Sequence, residues 1–175
     1  MADALTRQAS GIRLLTCDVD GVLTDGRIHV DDDGRETKSF NALDGVGLKM
    51  LMRAGITVAW ITGSSAPAVM HRARTLGVGR VVQGAEDKLT PWEALRSELA
   101  LPAAACAHIG DDLPDVPVFV RCGFAVAVPH ASASVRARAH FVTQRDGGRG
   151  AVRELCELIL AAQGVLEPQH AAFGA

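Results

Sequence analysis

Asp18-Val19-Asp20 follows directly on the apolar run Leu14-Leu15-Thr16-Cys17 and continues into Gly21-Val22-Leu23-Thr24-Asp25. A strand that ends in two carboxylates delivers them to the edge where open α/β sheets bind ligands. The two-residue period of a strand turns Asp18 and Asp20 to one side, roughly 6.5 Å apart along its axis, which admits a tetrahedral group between them. Taken alone, such a pair also reads as a solvated turn after a strand.

Three further segments carry compatible chemistry. Ile61-Thr62-Gly63-Ser64-Ser65 sets a hydroxyl and backbone N–H groups where a helix begins, an arrangement suited to an anion. Lys88 stands just before another helix and offers a movable point charge for a phosphate oxygen. Gly110-Asp111-Asp112-Leu113-Pro114-Asp115 supplies carboxylates suited to a hard cation such as Mg²⁺, which takes few protein ligands and keeps waters. Each segment has a plainer reading: Thr62 as a helix cap, Lys88 as a surface lysine, Asp111 and Asp112 as caps. What those readings leave unexplained is that all four segments fall just after successive strands of one sheet, at the edge where such folds place a site.

The elements that must hold these residues follow from hydrophobic patterning. Strand-length apolar runs at Arg13–Val19, Ile56–Ile61, Arg80–Val82, Ala105–Ile109, Phe124–Val128 and His140–Val142 alternate with helical stretches. The helical stretches lie near Gly45–Arg53, Ala66–Leu76, Pro91–Leu99, Pro114–Arg121, Ser132–Arg138 and Gly150–Ala162. Such alternation is the pattern of an α/β domain with a central parallel sheet. Thr90-Pro91-Trp92-Glu93 reads as a capping box with proline at the first helical position, and Ser65-Ala66-Pro67 as a similar start. Gly77 and Gly79 read as the stop of the latter helix.

One segment breaks the rhythm. Arg27–Val30 and Glu36–Phe40 flank Asp31-Asp32-Asp33-Gly34, a β-hairpin standing off the sheet and needing something to pack on, another subunit being one candidate. The aspartates do not follow EF-hand spacing and read as a solvated turn.

Composition narrows the class. The 175 residues are 48% hydrophobic and 22% charged, the balance of one globular domain. A net charge of −2 and 4% aromatics provide neither a phosphate-tracking stripe nor base-stacking platforms, so no nucleic-acid partner is expected. No signal-peptide core or run long enough to span a bilayer occurs, so no membrane partner is expected and the expected location is cytoplasmic. Cys17, Cys106, Cys122 and Cys156 are widely spaced among apolar neighbours and read as reduced, buried thiols. His108 and His140, alone in apolar strands, read as satisfied core residues.

The four segments, in order, resemble the four motifs of the haloacid dehalogenase superfamily of aspartate-nucleophile phosphatases. From about Ile12 to Gly164 the chain is similar to its 3-deoxy-D-manno-octulosonate 8-phosphate phosphatase family. Carrying that likeness are Cys17 to Gly26, Phe40-Asn41 with Asp44-Gly45, Gln83-Gly84 before Asp87-Lys88, Gly110 to Leu113, and Gly147-Gly148-Arg149-Gly150-Ala151-Val152-Arg153-Glu154.

The resemblance implies a capless, Rossmann-like three-layer sandwich with a protruding hairpin, spanning 12–164 between an N-terminal tail, 1–11, and a mobile C-terminal tail, 165–175. It implies a homotetramer with hairpins assembled centrally and a neighbour completing each site. It further implies a Mg²⁺-dependent phosphatase acting on a small phosphorylated sugar acid through an aspartyl-phosphate. In that scheme Asp18 is the nucleophile and Asp20 the general acid and base. Thr62, the N–H of Gly63 and Lys88 hold the phosphate, while Asp18, the Asp20 carbonyl and Asp111 hold Mg²⁺, with Asp112 and Asp115 orienting that shell. Arg72 meets the substrate carboxylate across a subunit boundary, or is simply a solvated helix arginine.

The family pattern is departed from at Ser64, where octulosonate phosphatases usually carry Arg and nonulosonate 9-phosphate phosphatases Glu, whereas Thr75 agrees with the octulosonate group. Rival expectations are therefore a nonulosonate 9-phosphate or another small sugar phosphate as substrate, a catalytically idle regulatory or assembly domain, and phosphoryl transfer to a second sugar.

Overall fold

The structure is a computed structural model and describes residues 4–172. In chain order its elements are α1 (Ala4–Ser10), β1 (Leu14–Cys17), β2 (His29–Val30), β3 (Glu36–Thr37), α2 (Ala42–Arg53), β4 (Thr57–Ile61), α3 (Pro67–Leu76) and β5 (Arg80–Val82). There follow α4 (Leu89–Glu98), β6 (Cys106–Gly110), α5 (Val116–Phe119), β7 (Phe124–Ala127), α6 (Ala133–Arg136), β8 (Phe141–Val142), α7 (Ala151–Ala162) and α8 (Leu166–Ala171).

Six strands form one parallel sheet in the order β5-β4-β1-β6-β7-β8. The chain leaves β1 toward β4 and β5, then returns to build β6, β7 and β8 on the other side of β1. That reversal opens a crevice beyond the carboxyl ends of β1 and its neighbours, where a parallel α/β sheet takes its ligand. Every residue of β1, β6 and β7 is buried, which explains why these segments read as unbroken apolar runs. One group of helices joins α1, α2, α3 and α7, and α4 packs on α5. Trp60, Trp92, Phe119 and Phe124 are the bulkiest fully buried side chains of the core.

Asp44, on α2, is buried and accepts the backbone N–H of Arg153 in the first turn of α7 at 2.8 Å. A carboxylate supplied by one helix thus caps another. This gives the Asp44 and Gly147–Glu154 segments a common structural purpose.

The elements expected from the sequence are present with shifted bounds: α2 and α4 start earlier, at Ala42 and Leu89, β6 runs on to Gly110, and most other strands are shorter. The hairpin ladder pairs only His29–Val30 with Glu36–Thr37. Its turn is closed by Asp31, whose Oδ1 accepts the N–H groups of Asp33 and Arg35 at 3.1 and 2.7 Å, the self-contained turn expected of that aspartate run. Gly77 ends α3 in the left-handed conformation, φ 83°. The start of α4 differs from the capping box expected at Thr90. The helix begins at Leu89, and Asp87 accepts both the Leu89 N–H and the Thr90 hydroxyl. A carboxylate three residues upstream outcompetes the threonine as acceptor, and Thr90 becomes a donor.

Helices α1 and α8 had no counterpart in the hydrophobic pattern. Helix α1 packs on α7 through buried Ala9, and α8 packs on the same helix with Gln169 buried. The expected tails thus include these helices, and their outer residues, 1–3 and 173–175, lie outside the described residues. No helix among the described residues is long and apolar enough to cross a membrane.

Candidate active site

The loop that follows β1 is wound tightly around one carbonyl. The Val19 oxygen accepts the N–H groups of Val22, Leu23 and Thr24 at 3.3, 2.9 and 3.0 Å. Buried Thr24 ties the loop from within, its Oγ1 accepting from the backbone of Gly21 and Gly26. Gly21 takes φ +85°, and a Cβ there would lie 2.0 Å from Asp111 Oδ2, so only glycine serves. From the other side the Gly147 backbone lies against this loop: a Cβ on Gly147 would be 1.8 Å from the Gly21 oxygen. The D-x-D-G-V-x-T-D and Gly-Gly segments are therefore complementary parts of one backbone contact.

This winding leaves Asp18 buried at the end of β1, its N–H bonded to the Ile109 oxygen and its Oδ1 accepting the Val19 N–H at 2.7 Å. Asp20 is half-buried and faces a cavity of about 340 Å³. Asp18, Asp20, Thr62, Gly63, Lys88 and Asp111 all line that cavity, together with Ser64 and Asp112. Four separate stretches of sequence thus converge on one crevice. Thr62 continues β4, donating its N–H to Val82, while its Oγ1 accepts the Ser64 N–H at 3.1 Å.

Lys88 is buried, with Nζ 2.9 Å from Asp18 Oδ2 and 2.7 Å from Asp115 Oδ1. Asp115 is fully buried and spends its remaining acceptor capacity on the N–H groups of Asp111 and Asp112 at 3.1 and 3.3 Å. His108 Nε2 is 2.8 Å from Asp115 Oδ1, and its Nδ1 is 2.8 Å from the Thr16 hydroxyl. A continuous buried polar chain therefore runs from Thr16 on β1 through His108 on β6 to Asp115, Lys88 and Asp18. Asp112 accepts the Leu113 N–H at 2.8 Å and caps the short turn Leu113–Asp115, so its plainer reading as a cap holds alongside its place in the cavity wall.

Charge within the site is unevenly shared. Burial, then the charge of Asp115, pushes Asp18 up to about 7 against the opposing pull of Lys88. Burial and Asp115 likewise push Asp111 up to about 6. Burial also acts to raise Asp115, but the hydrogen bond and charge of His108 and the Lys88 ammonium hold it down at about 2. The pair whose ionisation is opposed is thus the pair a cation would relieve.

Asp18, Asp111 and Asp115 each offer an oxygen within 4.8 Å of the others. This hard, all-oxygen donor set suits Mg²⁺. Asp115, already bonded to Lys88, His108 and two backbone N–H groups, is better placed to orient the set than to join it.

Arg72 lies apart from the cavity. Its guanidinium donates to the Asn41 carbonyl at 3.3 Å and stands over the Phe40 ring, 5.9 Å from the centroid. Thr75, one turn further along α3, is exposed and bonds to the His71 carbonyl. Two residues engaged with the site carried no sequence signal. One is Lys38, whose Nζ lies 2.6 Å from Asp20 Oδ1. The other is His108, satisfied in the core as expected but satisfied by the site itself.

Comparison with known proteins gives consistent results. Residues 76–155 match the haloacid dehalogenase-like hydrolases. The chain is 47% identical over 167 residues to the 3-deoxy-D-manno-octulosonate 8-phosphate phosphatase of Yersinia pestis, covering 95% of this chain and 89% of that protein. It is 45% identical to the Escherichia coli K12 phosphatase of the same name, over 95% of this chain and 88% of that one. The crystal structure of the Moraxella catarrhalis phosphatase of that name, in complex with magnesium, phosphate and a KDO molecule, superposes with a TM-score of 0.96 at 42% identity, over 99% of each chain.

Proposed function

The chain belongs to the 3-deoxy-D-manno-octulosonate 8-phosphate phosphatase family of haloacid dehalogenase-like hydrolases, and from that premise we propose how its own residues carry out the reaction. It is a phosphoric monoester hydrolase that converts 3-deoxy-D-manno-octulosonate 8-phosphate to the free sugar acid and phosphate, a step of lipopolysaccharide precursor synthesis. The observation that carries the mechanistic reading is the convergence of Asp18, Asp20, Thr62, Lys88 and Asp111 on one crevice at the reversal point of the sheet.

Asp18 attacks phosphorus in line, and the bond to the sugar oxygen breaks as the aspartyl-phosphate forms. Asp20 gives its proton to the departing alkoxide and later takes one from the water that hydrolyses the acyl phosphate. The Thr62 hydroxyl, the Gly63 N–H and the Lys88 ammonium hold the three transferring oxygens. The carboxylates of Asp18 and Asp111, with the Asp20 carbonyl, would hold Mg²⁺, which would supply positive charge to offset the repulsion between the incoming carboxylate and the phosphate dianion. Lys88 already neutralises part of the buried charge of Asp18 and fixes its carboxylate against Asp115. Arg72 reaches the carboxylate of a substrate bound to an adjacent subunit, in a homotetramer assembled through the hairpins. The enzyme works in the cytoplasm, as one domain of 12–164 on which α1 and α8 pack.

Ser64 lines the cavity where family octulosonate phosphatases present an arginine, so sugar selectivity is the feature to test first. Phosphate release is measured with Mg²⁺ and with EDTA, using octulosonate 8-phosphate, a nonulosonate 9-phosphate and common sugar phosphates in parallel. A Mg²⁺-dependent preference for the octulosonate is the expected result. Preference for the nonulosonate or broad weak activity moves the substrate elsewhere while keeping the mechanism, and no turnover on any of them overturns the reading.

A further inference from the structure

The hairpin reaches the reacting groups through Lys38, just beyond β3. Lys38 Nζ lies 2.6 Å from Asp20 Oδ1 and also bonds Glu36 Oε1, and its side chain is only 2% exposed. Asp20 lines the cavity, whereas Lys38 is not among its lining residues. The ammonium is therefore a partner of Asp20 that stands outside the cavity lining. Glu36, on the hairpin strand itself, holds the other side of the ammonium.

A charged lysine buried between two carboxylates is anchored: its stem has lost its rotamer freedom, and either carboxylate moving away would leave a desolvated charge. Asp20 is the opposite case, a short side chain on a loop, with 32% of it exposed to the cavity. Proton transfer to a departing oxygen needs that carboxyl at hydrogen-bond reach and in line with the oxygen. Lys38 supplies such a constraint: it fixes one of the two Asp20 oxygens and leaves the other to face the substrate.

We propose that Lys38 is a positioning residue that holds the Asp20 carboxyl in the orientation needed to protonate the leaving sugar oxygen, so that the hairpin is part of the catalytic apparatus as well as an assembly element. This rests on the proposed phosphatase mechanism. As the bond from phosphorus to the sugar oxygen breaks and that to Asp18 forms, the proton on the Asp20 oxygen opposite Lys38 passes to the alkoxide; Lys38 itself gains and loses nothing.

The test exploits the leaving group. A sugar alkoxide needs a proton to depart, but the nitrophenolate of p-nitrophenyl phosphate leaves without one. The quantity to compare is kcat/KM, which reports phosphoryl transfer to the enzyme and is blind to later hydrolysis. Lys38→Met is expected to lower kcat/KM for octulosonate 8-phosphate by about 10- to 100-fold, part of the 10²–10⁴ that a general acid contributes, and that for p-nitrophenyl phosphate by less than about 3-fold. Glu36→Gln loosens the lysine without touching Asp20 and is expected to give the same selective loss at about 3- to 10-fold, which keeps the test available if Lys38→Met does not fold. With wild-type turnover of both substrates intact, losses of equal factor on the two, or no loss on either, overturn the inference. Absence of wild-type turnover on octulosonate 8-phosphate instead overturns the mechanism beneath it.

Discussion

Lys88 Nζ stands 2.9 Å from Asp18 Oδ2 in a pocket where both side chains are almost wholly buried. The proposed nucleophile is thus held by a cation before any phosphate arrives, at the cost of crowding it against Asp111 and Asp115. Asp18→Asn separates the two consequences. It removes the proposed nucleophile, so phosphate release should fall below detection, given that unassisted monoester hydrolysis is slower by up to about 10²¹. It also removes one of three crowded carboxylates, so in EDTA at pH 8 the folded variant should melt no lower than wild type. Phosphate release at the wild-type rate from the pure variant contradicts the assignment, and calorimetry checks the second half.

His108 joins β6 to the site from beneath. With Nε2 on Asp115 and Nδ1 on Thr16, both at 2.8 Å, its ring bridges two fully buried polar groups. His108→Ala leaves a desolvated carboxylate oxygen and a hydroxyl without this partner, a defect of about 3 kcal/mol. For a domain of this size, thermal unfolding should drop by roughly 6–12 °C. Because Asp115 also anchors Lys88, kcat should fall as well, and His108→Gln, which keeps one donor, should recover part of both losses.

The acidic site makes stability depend on pH in a direction set by metal. Asp18 at about 7 and Asp111 at about 6 both lie above the ordinary carboxylate value of 3.8. In the metal-free protein the folded state therefore holds protons that the unfolded chain releases, and stability falls as pH rises from about 4 through 7. Asp115, held near 2, works the other way, but only where pH falls below about 4. In EDTA the melting temperature should decline between pH 5 and 8 relative to an Asp18→Asn, Asp111→Asn control. Saturating Mg²⁺ competes with those protons, so its stabilising increment should grow over the same range. An increment independent of pH contradicts this picture.

The proposed catalytic carboxylates and Thr62 were legible in the sequence because each sits at or just past a strand end, and Lys88 because it stands where α4 begins after β5; one-dimensional order predicts which strand ends share an edge. Asp18 needs only an apolar run before it to be placed. Lys38, by contrast, follows a two-residue strand in a polar hairpin, and its partner Asp20 lies 18 residues back, a separation no periodicity reports. His108 is the one ionisable ring in an otherwise apolar strand, Cys106–Gly110, which marks it as satisfied but does not say by what. Local competition blurred the helix ends: Thr90 has every attribute of a cap until Asp87, accepting the Leu89 N–H, starts the helix earlier and takes the Thr90 hydroxyl as a donor. Helices α1 and α8 are short and owe their order to packing on α7, so their own sequences carry little of the signal.

The hairpin also tests the assembly. Ile28 and Val30 are 70% and 61% exposed, side by side at a strand too short to stand alone in water. If hairpins from neighbouring subunits cover them, Ile28→Asp with Val30→Asp buries two charges in an apolar contact and should split the assembly, seen as a fall in sedimenting mass. Lys38 lies beyond the substituted strand, so its contact with Asp20 should survive. The separated chain should then retain p-nitrophenyl phosphate hydrolysis within about 3-fold while losing affinity for the sugar acid, since in the proposed assembly only the larger substrate would extend to a neighbour's Arg72. A variant that sediments as wild type would place the subunit contact elsewhere on the molecule.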